Sequence, residues 1–283
     1  MDTLAVVLLG VLAFVLSVMA PRLMAPRTSF RLCPGPALVV WQCVALAGIL
    51  SALLAAPVAA WSLTDQNMTL VWASVALSVV MLGRLLLSGH RVGTGLRSLR
   101  ARHRDLVSLL GRLDPQTNVT VLEHASPTAY CVPGGSHQIV LTAGAVAALD
   151  AEETQAVLTH ERAHLKARHD LILEFFTVLH HAVPQPIRCE SALDEVHLLV
   201  EALADRAALR RGGALPLARA LVTMHEASHR EGTLGANGSA GQTKTRLLLI
   251  ADAAKPRPVR ALFMISFAIG VLAVPFGLAA SGV

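Results

Sequence analysis

Charge is what this sequence has least of. Only 15% of its 283 residues are Asp, Glu, Lys or Arg, 54% are hydrophobic, and the mean hydropathy is +0.56. Soluble domains carry charge on about a quarter of their residues, so a soluble globular protein is excluded as an account of the whole chain. Cysteine is also scarce. Cys33, Cys43, Cys131 and Cys189 form no CxxC pair and no framework, which excludes a disulfide scaffold and leaves four free thiols or small buried apolar residues. The opening Met1-Asp2-Thr3 lacks the positive charge of a secretory leader. Arg22, Arg27 and Arg31 follow the first apolar block instead, so that block reads as a retained span.

Apolar runs are abundant. Leu4 to Ala20 (flanks counted), Pro36 to Trp61, Met68 to Leu87 and Ala261 to Ala280 are long enough to cross a bilayer. The loop from Ser62 to Asn67 carries Asp65 and no Lys or Arg. The basic clusters at Arg22–Arg31, at Arg91, Arg97, Arg100, Arg102 and Arg104, and at Lys255, Arg257 and Arg260 all fall on the other side. The positive-inside rule then places 21–35 and 90–260 in the cytoplasm and both termini outside. Arg84 snorkels from the third span to the headgroups. The run at 91–104 adjoins a span, so it reads as attraction to anionic lipid, and the bilayer rather than nucleic acid is the expected partner. The expected fold is a mainly α membrane protein. Three transmembrane helices (1–89) precede a small α+β domain (90–260), and a fourth helix with a short outer tail follows (261–283).

Within 90–260 the pattern alternates between helix and strand. A linker helix is expected over Thr94 to Leu113. Strands are expected at Val119 to His124, Thr128 to Val132 and Gln138 to Thr142, the last two flanking a turn at Pro133 to Ser136. A short helix over Thr142 to Leu149 precedes a capping box, Asp150 with Glu153, that starts the next helix. The apolar run Leu171 to Leu179 reads as a helix against the membrane, ended by Pro184 and Pro186. Further helices run to Arg211, from Leu215 to His229 and from Lys244 to Ala251, with Gly232 to Gly241 as a flexible loop.

The capped helix carries His160-Glu161-Arg162-Ala163-His164. Histidines four apart share one helical face, so both imidazoles can reach one metal ion, and zinc suits neutral imidazole. Glu161 lies beside the position of a metal-activated water, whose proton a carboxylate can take. His225-Glu226-Ala227-Ser228-His229 repeats the pattern, but a Gly/Ser/Asn-rich run follows it, whereas apolar residues bury the first copy. Downstream, Glu190, Asp194, His197, Glu201 and Asp205 form one polar stripe on an otherwise apolar helix, which is costly to bury unless cations satisfy it. Glu201 is the expected third ligand, with Glu190, Asp194 and Glu195 as competitors. Asp205, one turn on, is placed to accept the Nδ1 proton of His160. One Zn2+ per chain follows.

The segments Leu158 to Asp170 and Leu199 to Arg206 together resemble the BlaR/MecR-type membrane metallopeptidases, which are gluzincins with two His and one Glu on zinc. The resemblance implies that Glu161 is the catalytic base. It also implies that an edge strand, here Ala129-Tyr130-Cys131, binds the substrate backbone. Tyr130, His225, His229 and Arg246 are the candidates for stabilising the oxyanion. It further implies a regulatory protease that acts on a cytoplasmic transcriptional repressor of winged-helix type and on itself; a homo-oligomer stays open. The chain ends at Val283, so no extracellular penicillin-binding sensor domain is expected. The alternatives are an HtpX-type quality-control peptidase, against which three spans before HExxH and one after argue, and a non-catalytic scaffold with structural zinc.

Overall fold

The computed structural model describes residues 2–63, 67–115, 117–133, 138–230, 236–253, 255 and 257–281; of residues 2, 227–230 and 236–240 it describes the backbone alone. Helix α1 (Asp2–Phe14) continues through a π-helical turn (Val15–Met19) into α2 (Ala20–Met24). A 3-10 turn (Thr28–Leu32) leads to α3 (Pro34–Ser62), and α4 (Met68–Leu110) follows. Then come β1 (Gly111–Asp114), β2 (Val119–Leu122), β3 (Ala129–Val132), β4 (Gln138–Thr142), α5 (Ala143–Ala148), α6 (Ala151–Ala167), α7 (His169–Ala182), α8 (Glu190–Gly212), α9 (Ala214–Arg230), α10 (Ala236–Asp252) and α11 (Pro258–Ser281). The chain forms two compact units that interleave in sequence: 1–93, 174–199 and 257–283 make the first, and 94–173 and 200–256 the second.

The first unit contains the apolar helices. Thr3–Met24, Pro34–Ser62, the start of Met68–Leu110 and Pro258–Ser281 are long and apolar enough to cross a membrane. Val6 and Leu9 of α1 pack with Ala55, Val58 and Ala59 of α3, Leu63 and Val71. The outer surface is apolar too: Val259, Phe263 and Ile269 of α11 are 81%, 71% and 62% exposed, as lipid-facing positions would be. Two of its serines are satisfied internally. Ser51 donates to Ala47 O (2.7 Å), and Ser78 of α4 donates to Ala52 O of α3 (2.6 Å), a bond that joins two helices where water is scarce. The π-helical turn approaches α3 at Gly48, where a Cβ would stand 2.8 Å from Ser17 Oγ.

The second unit is built on a four-stranded sheet of order β1-β2-β4-β3. β2 and β4 are parallel, the outer pairs are antiparallel, and β3 is an edge strand with Tyr130 opposite Val140. Val157 and Leu158 of α6 pack against Val119, Ile139 and Leu141, with Ala129 and Cys131 on the same face. The other face carries Val132, Val140 and Tyr130 against Val107 of α4. Thr142 Oγ1 caps α5 by accepting from Ala145 N–H (3.2 Å). α6 opens with the expected capping box: Glu153 N–H donates to Asp150 Oδ1 (2.8 Å) and Asp150 N–H to Glu153 Oε2 (3.1 Å). It closes at Arg168, whose left-handed φ of 50° turns the chain directly into α7.

Some boundaries differ from expectation. The linker helix continues α4 without a break and stops at Leu110, because Gly111 starts the strand β1. Strand β1 has no alternating pattern and is held by pairing with β2. At Gly111 a Cβ would lie 2.3 Å from Thr120 Cγ2, so the turn from helix to strand requires glycine there. α10 begins at Ala236, where a loop was expected. Asp65, residues 134–136 of the expected turn, and 232–235 of the expected loop lie outside the described residues.

Candidate metal centre

The second unit brings His160 and His164 of α6 to Glu201 of α8. The Nε2 atoms of the two histidines are 3.1 Å apart, and Glu201 Oε2 and Oε1 lie 3.4 Å from His160 Nε2 and His164 Nε2 respectively. Zinc binds nitrogen at about 2.0–2.1 Å and carboxylate oxygen at about 2.0–2.2 Å, so tetrahedral ligand atoms stand about 3.3–3.5 Å apart. The triangle is slightly tight for this arrangement, and its two imidazoles and one carboxylate are the donor set that zinc takes. Among the described residues this is the group of three side chains whose ligand atoms share one such locus. Glu190, Asp194 and Glu195 are elsewhere. Glu190 pairs with His180 (3.0 Å), Glu195 with Arg31 (2.7 Å), and Asp194 is exposed.

Each imidazole is held at its remote nitrogen. His160 Nδ1 lies 2.9 Å from Asp205 Oδ1, at ion-pair distance but off the line of a good hydrogen bond. His164 Nδ1 lies 3.0 Å from Nδ1 of His169, which is 2% exposed. Arg246 of α10 clamps the acids: Nε donates to Asp205 Oδ2 (2.9 Å), Nη2 to Asp205 Oδ1 (2.6 Å), and Nη1 lies 3.0 Å from Glu201 Oε2. Neither partnership of His169 nor that of Arg246 was expected in this form. His169 stands five residues after His164, off its helical face, and comes back to it because Arg168 breaks the helix.

The electrostatics follow from this packing. Burial works to lower the pKa of His160, but the carboxylates of Asp205 and Glu201 outweigh it and raise it to about 9. Burial and the neighbouring cations lower His164 to about 4 despite Glu201. Burial opposes the charge on Glu201, yet His160 and Arg246 hold it down at about 2, and Arg246 and His160 likewise keep Asp205 below its ordinary value. Glu161 is different: burial raises its pKa, as a general base requires. Its neighbour is the thiol of Cys131, which burial and then Glu161 push up to about 12.

The remaining candidates divide. Ala129 and Cys131 face α6 from the edge strand, whereas Tyr130 turns to the opposite face, where its ring sits 5.1 Å from that of His103. Arg246 reaches the cluster. His225 lies on α9 outside the group of three, and the side chain of His229 is not among those described.

Two imidazoles one helical turn apart, a carboxylate from a second helix and a half-buried glutamate next to the first imidazole are the side chains of a zincin-type site. Residues 96–219 match the model of Peptidase family M48, a zincin-type metallopeptidase family whose members are typically zinc-dependent. Over those residues the chain is similar to that family. The match includes the four strands, His160, His164, Glu201 and Asp205, and it ends before Arg246. No curated protein and no solved structure matches the chain.

Proposed function

We propose that this protein is a membrane-embedded zinc metalloendopeptidase that cleaves a cytoplasmic protein, with His160, His164 and Glu201 as the metal ligands and Glu161 as the general base. The observation that carries this reading is the ligand triangle with the half-buried Glu161 beside it. When bound, zinc supplies Lewis acidity and water activation. Glu161 takes the proton of the attacking water and passes it to the leaving amine. Asp205 and His169 fix the rings of His160 and His164, and Arg246 keeps Glu201 and Asp205 ionised. An extended substrate adds to the open edge of β3, on the strand whose Ala129 and Cys131 face α6. Arg246 is the cation closest to the acids and the best candidate to stabilise the oxyanion.

The distribution of basic residues supports a cytoplasmic site with both termini outside, and the resemblance to BlaR/MecR-type proteins supports a repressor as substrate. The family match is equally consistent with a quality-control peptidase of HtpX type. A structural zinc site has no use for Glu161, which counts against a scaffold. The test is Glu161→Ala. The variant should retain about one zinc per chain and lose peptide hydrolysis; cleavage at the wild-type rate sinks the proposal. New protein N-termini in cells expressing wild type but not Glu161→Ala then name the substrates. One or a few cytoplasmic proteins support regulation, and many damaged membrane proteins support quality control.

A further inference from the structure

The first unit forms an open apolar pocket of about 310 Å³, lined among others by Phe14, Trp41, Val44, Leu77, Val80 and Phe176. This is at the small end of ligand pockets, at about 300–1,000 Å³, and suits one hydrocarbon chain. Arg84 and Arg188 line the pocket and bond to the turn 181–188. Three guanidinium groups from three elements converge there. Arg22 donates to Ile187 O (2.8 Å) and Val18 O (3.0 Å), Arg84 to Ala182 O, and Arg188 to Val183 O (3.0 Å) and His181 O (3.3 Å).

All of these bonds go to neutral carbonyls, and no carboxylate among the described residues is within ion-pair distance of the three arginines. The nearby acids are occupied, Glu190 by His180 and Glu195 by Arg31. Arg84 and Arg188 are half-buried, so their charge needs an anion. Trp41 adds a second, independent observation: it lines the cavity at 4% exposure, and its Nε1–H is buried without an acceptor. An apolar pocket with a buried unpaired N–H donor, lined by Arg84 and Arg188 and with Arg22 bonded to its lining residue Ile187, matches an amphiphile with a hydrocarbon tail, a carbonyl and an anionic head. A peptide segment would need acceptors and donors distributed along its length.

We infer that the cavity holds a phospholipid of net negative charge, with one acyl chain inside, an ester carbonyl on Trp41 Nε1–H and the phosphate on Arg22, Arg84 and Arg188. The pocket shares no residue with the metal centre. Guanidinium suits phosphate through its planar array of donors.

The chain has three tryptophans. Trp61 and Trp72 are 75% and 66% exposed, so the full-length Trp61→Phe/Trp72→Phe protein keeps Trp41 alone as reporter. It is reconstituted in phosphatidylcholine vesicles doped with either phosphatidylglycerol or phosphatidylcholine brominated on the acyl chain. Brominated phosphatidylglycerol should quench Trp41 at a clearly lower mole fraction than brominated phosphatidylcholine. Arg84→Gln and Arg188→Gln should each lower that preference about fivefold. Equal quenching by the two lipids overturns the proposal, because chains then enter without recognition of the head. Protection of Trp41 from both also overturns it, because a protein segment, from a second copy or a substrate, then fills the cavity. Mass spectrometry of the unsubstituted protein checks the result without any variant. Phosphatidylglycerol should stay bound through detergent exchange when phosphatidylcholine is lost, and loss of both in parallel counts against the site.

Discussion

Asp205→Asn separates the roles of the groups behind the metal ligands. Asp205 is 3% exposed and meets His160 Nδ1 at 2.9 Å and Arg246 at 2.9 and 2.6 Å. Asparagine keeps the shape but brings one oxygen and an amide NH2, which must face either the guanidinium or the imidazole N–H, donor against donor. Removing one partner of a buried ion pair costs about 3–5 kcal/mol. Glu201 still holds Arg246 Nη1 at 3.0 Å, which puts the loss of fold stability near the lower end. Loss of a group that orients a ligating histidine weakens metal binding about 10–100-fold, or about 1.4–2.7 kcal/mol. The assay is competition for zinc against a chromophoric chelator at fixed pH, beside thermal unfolding of the same sample. Asp205→Asn/Arg246→Met discriminates further. If a stranded guanidinium causes the instability, the double variant regains stability while zinc binding stays weak. Zinc affinity of Asp205→Asn within about twofold of wild type would refute the orienting role.

Other expectations follow from the same geometry. His160 has its pKa raised to about 9, so zinc must displace its proton. Affinity should climb about tenfold per pH unit between neutrality and about 9, with about one proton released per zinc in calorimetry across buffers; a flat profile contradicts this. The same shift stabilises the metal-free fold fully below the unfolded value of about 6.5 and is lost as pH rises through about 9. The melting temperature of the metal-free protein should therefore fall over that window. His169→Ala frees the ring of His164 and should weaken zinc binding about tenfold; unchanged affinity would make His169 a packing residue. Cys131, its thiol pushed up to about 12, should resist maleimide at neutral pH, and labelling at the rate of an ordinary thiol would refute its burial against Glu161.

What could be read from the chain alone was what depends on near neighbours. The capping box needs only Asp150 and Glu153, three residues apart, and both of its bonds are present. The facing of His160 and His164 follows from helical period, and so does the stripe that pairs Glu201 with Asp205. The same stripe could not decide which acid belongs to the cluster. Glu190 and Glu195 are withdrawn by His180 and Arg31, residues 10 and 164 positions away in sequence. Strand β1 was missed because Gly111–Asp114 owes its conformation to β2 rather than to a pattern of its own. His169 was missed as a partner of His164 because helical period places i+5 off the face, and only the left-handed Arg168 restores it. Arg246 stood among four candidates until folding set it against Asp205, 41 residues earlier.

If a substrate pairs with the edge of β3 as proposed, that outermost position decides what form the substrate must take. Main-chain groups on a sheet margin can be matched only by another stretched backbone, since a helix has already spent its own N–H and C=O groups internally. On that proposal well-folded proteins would pass uncut, and susceptibility would belong to linkers, tails and segments that have come undone. Selectivity of that kind needs little sequence preference, because the conformation of the target sets the rate.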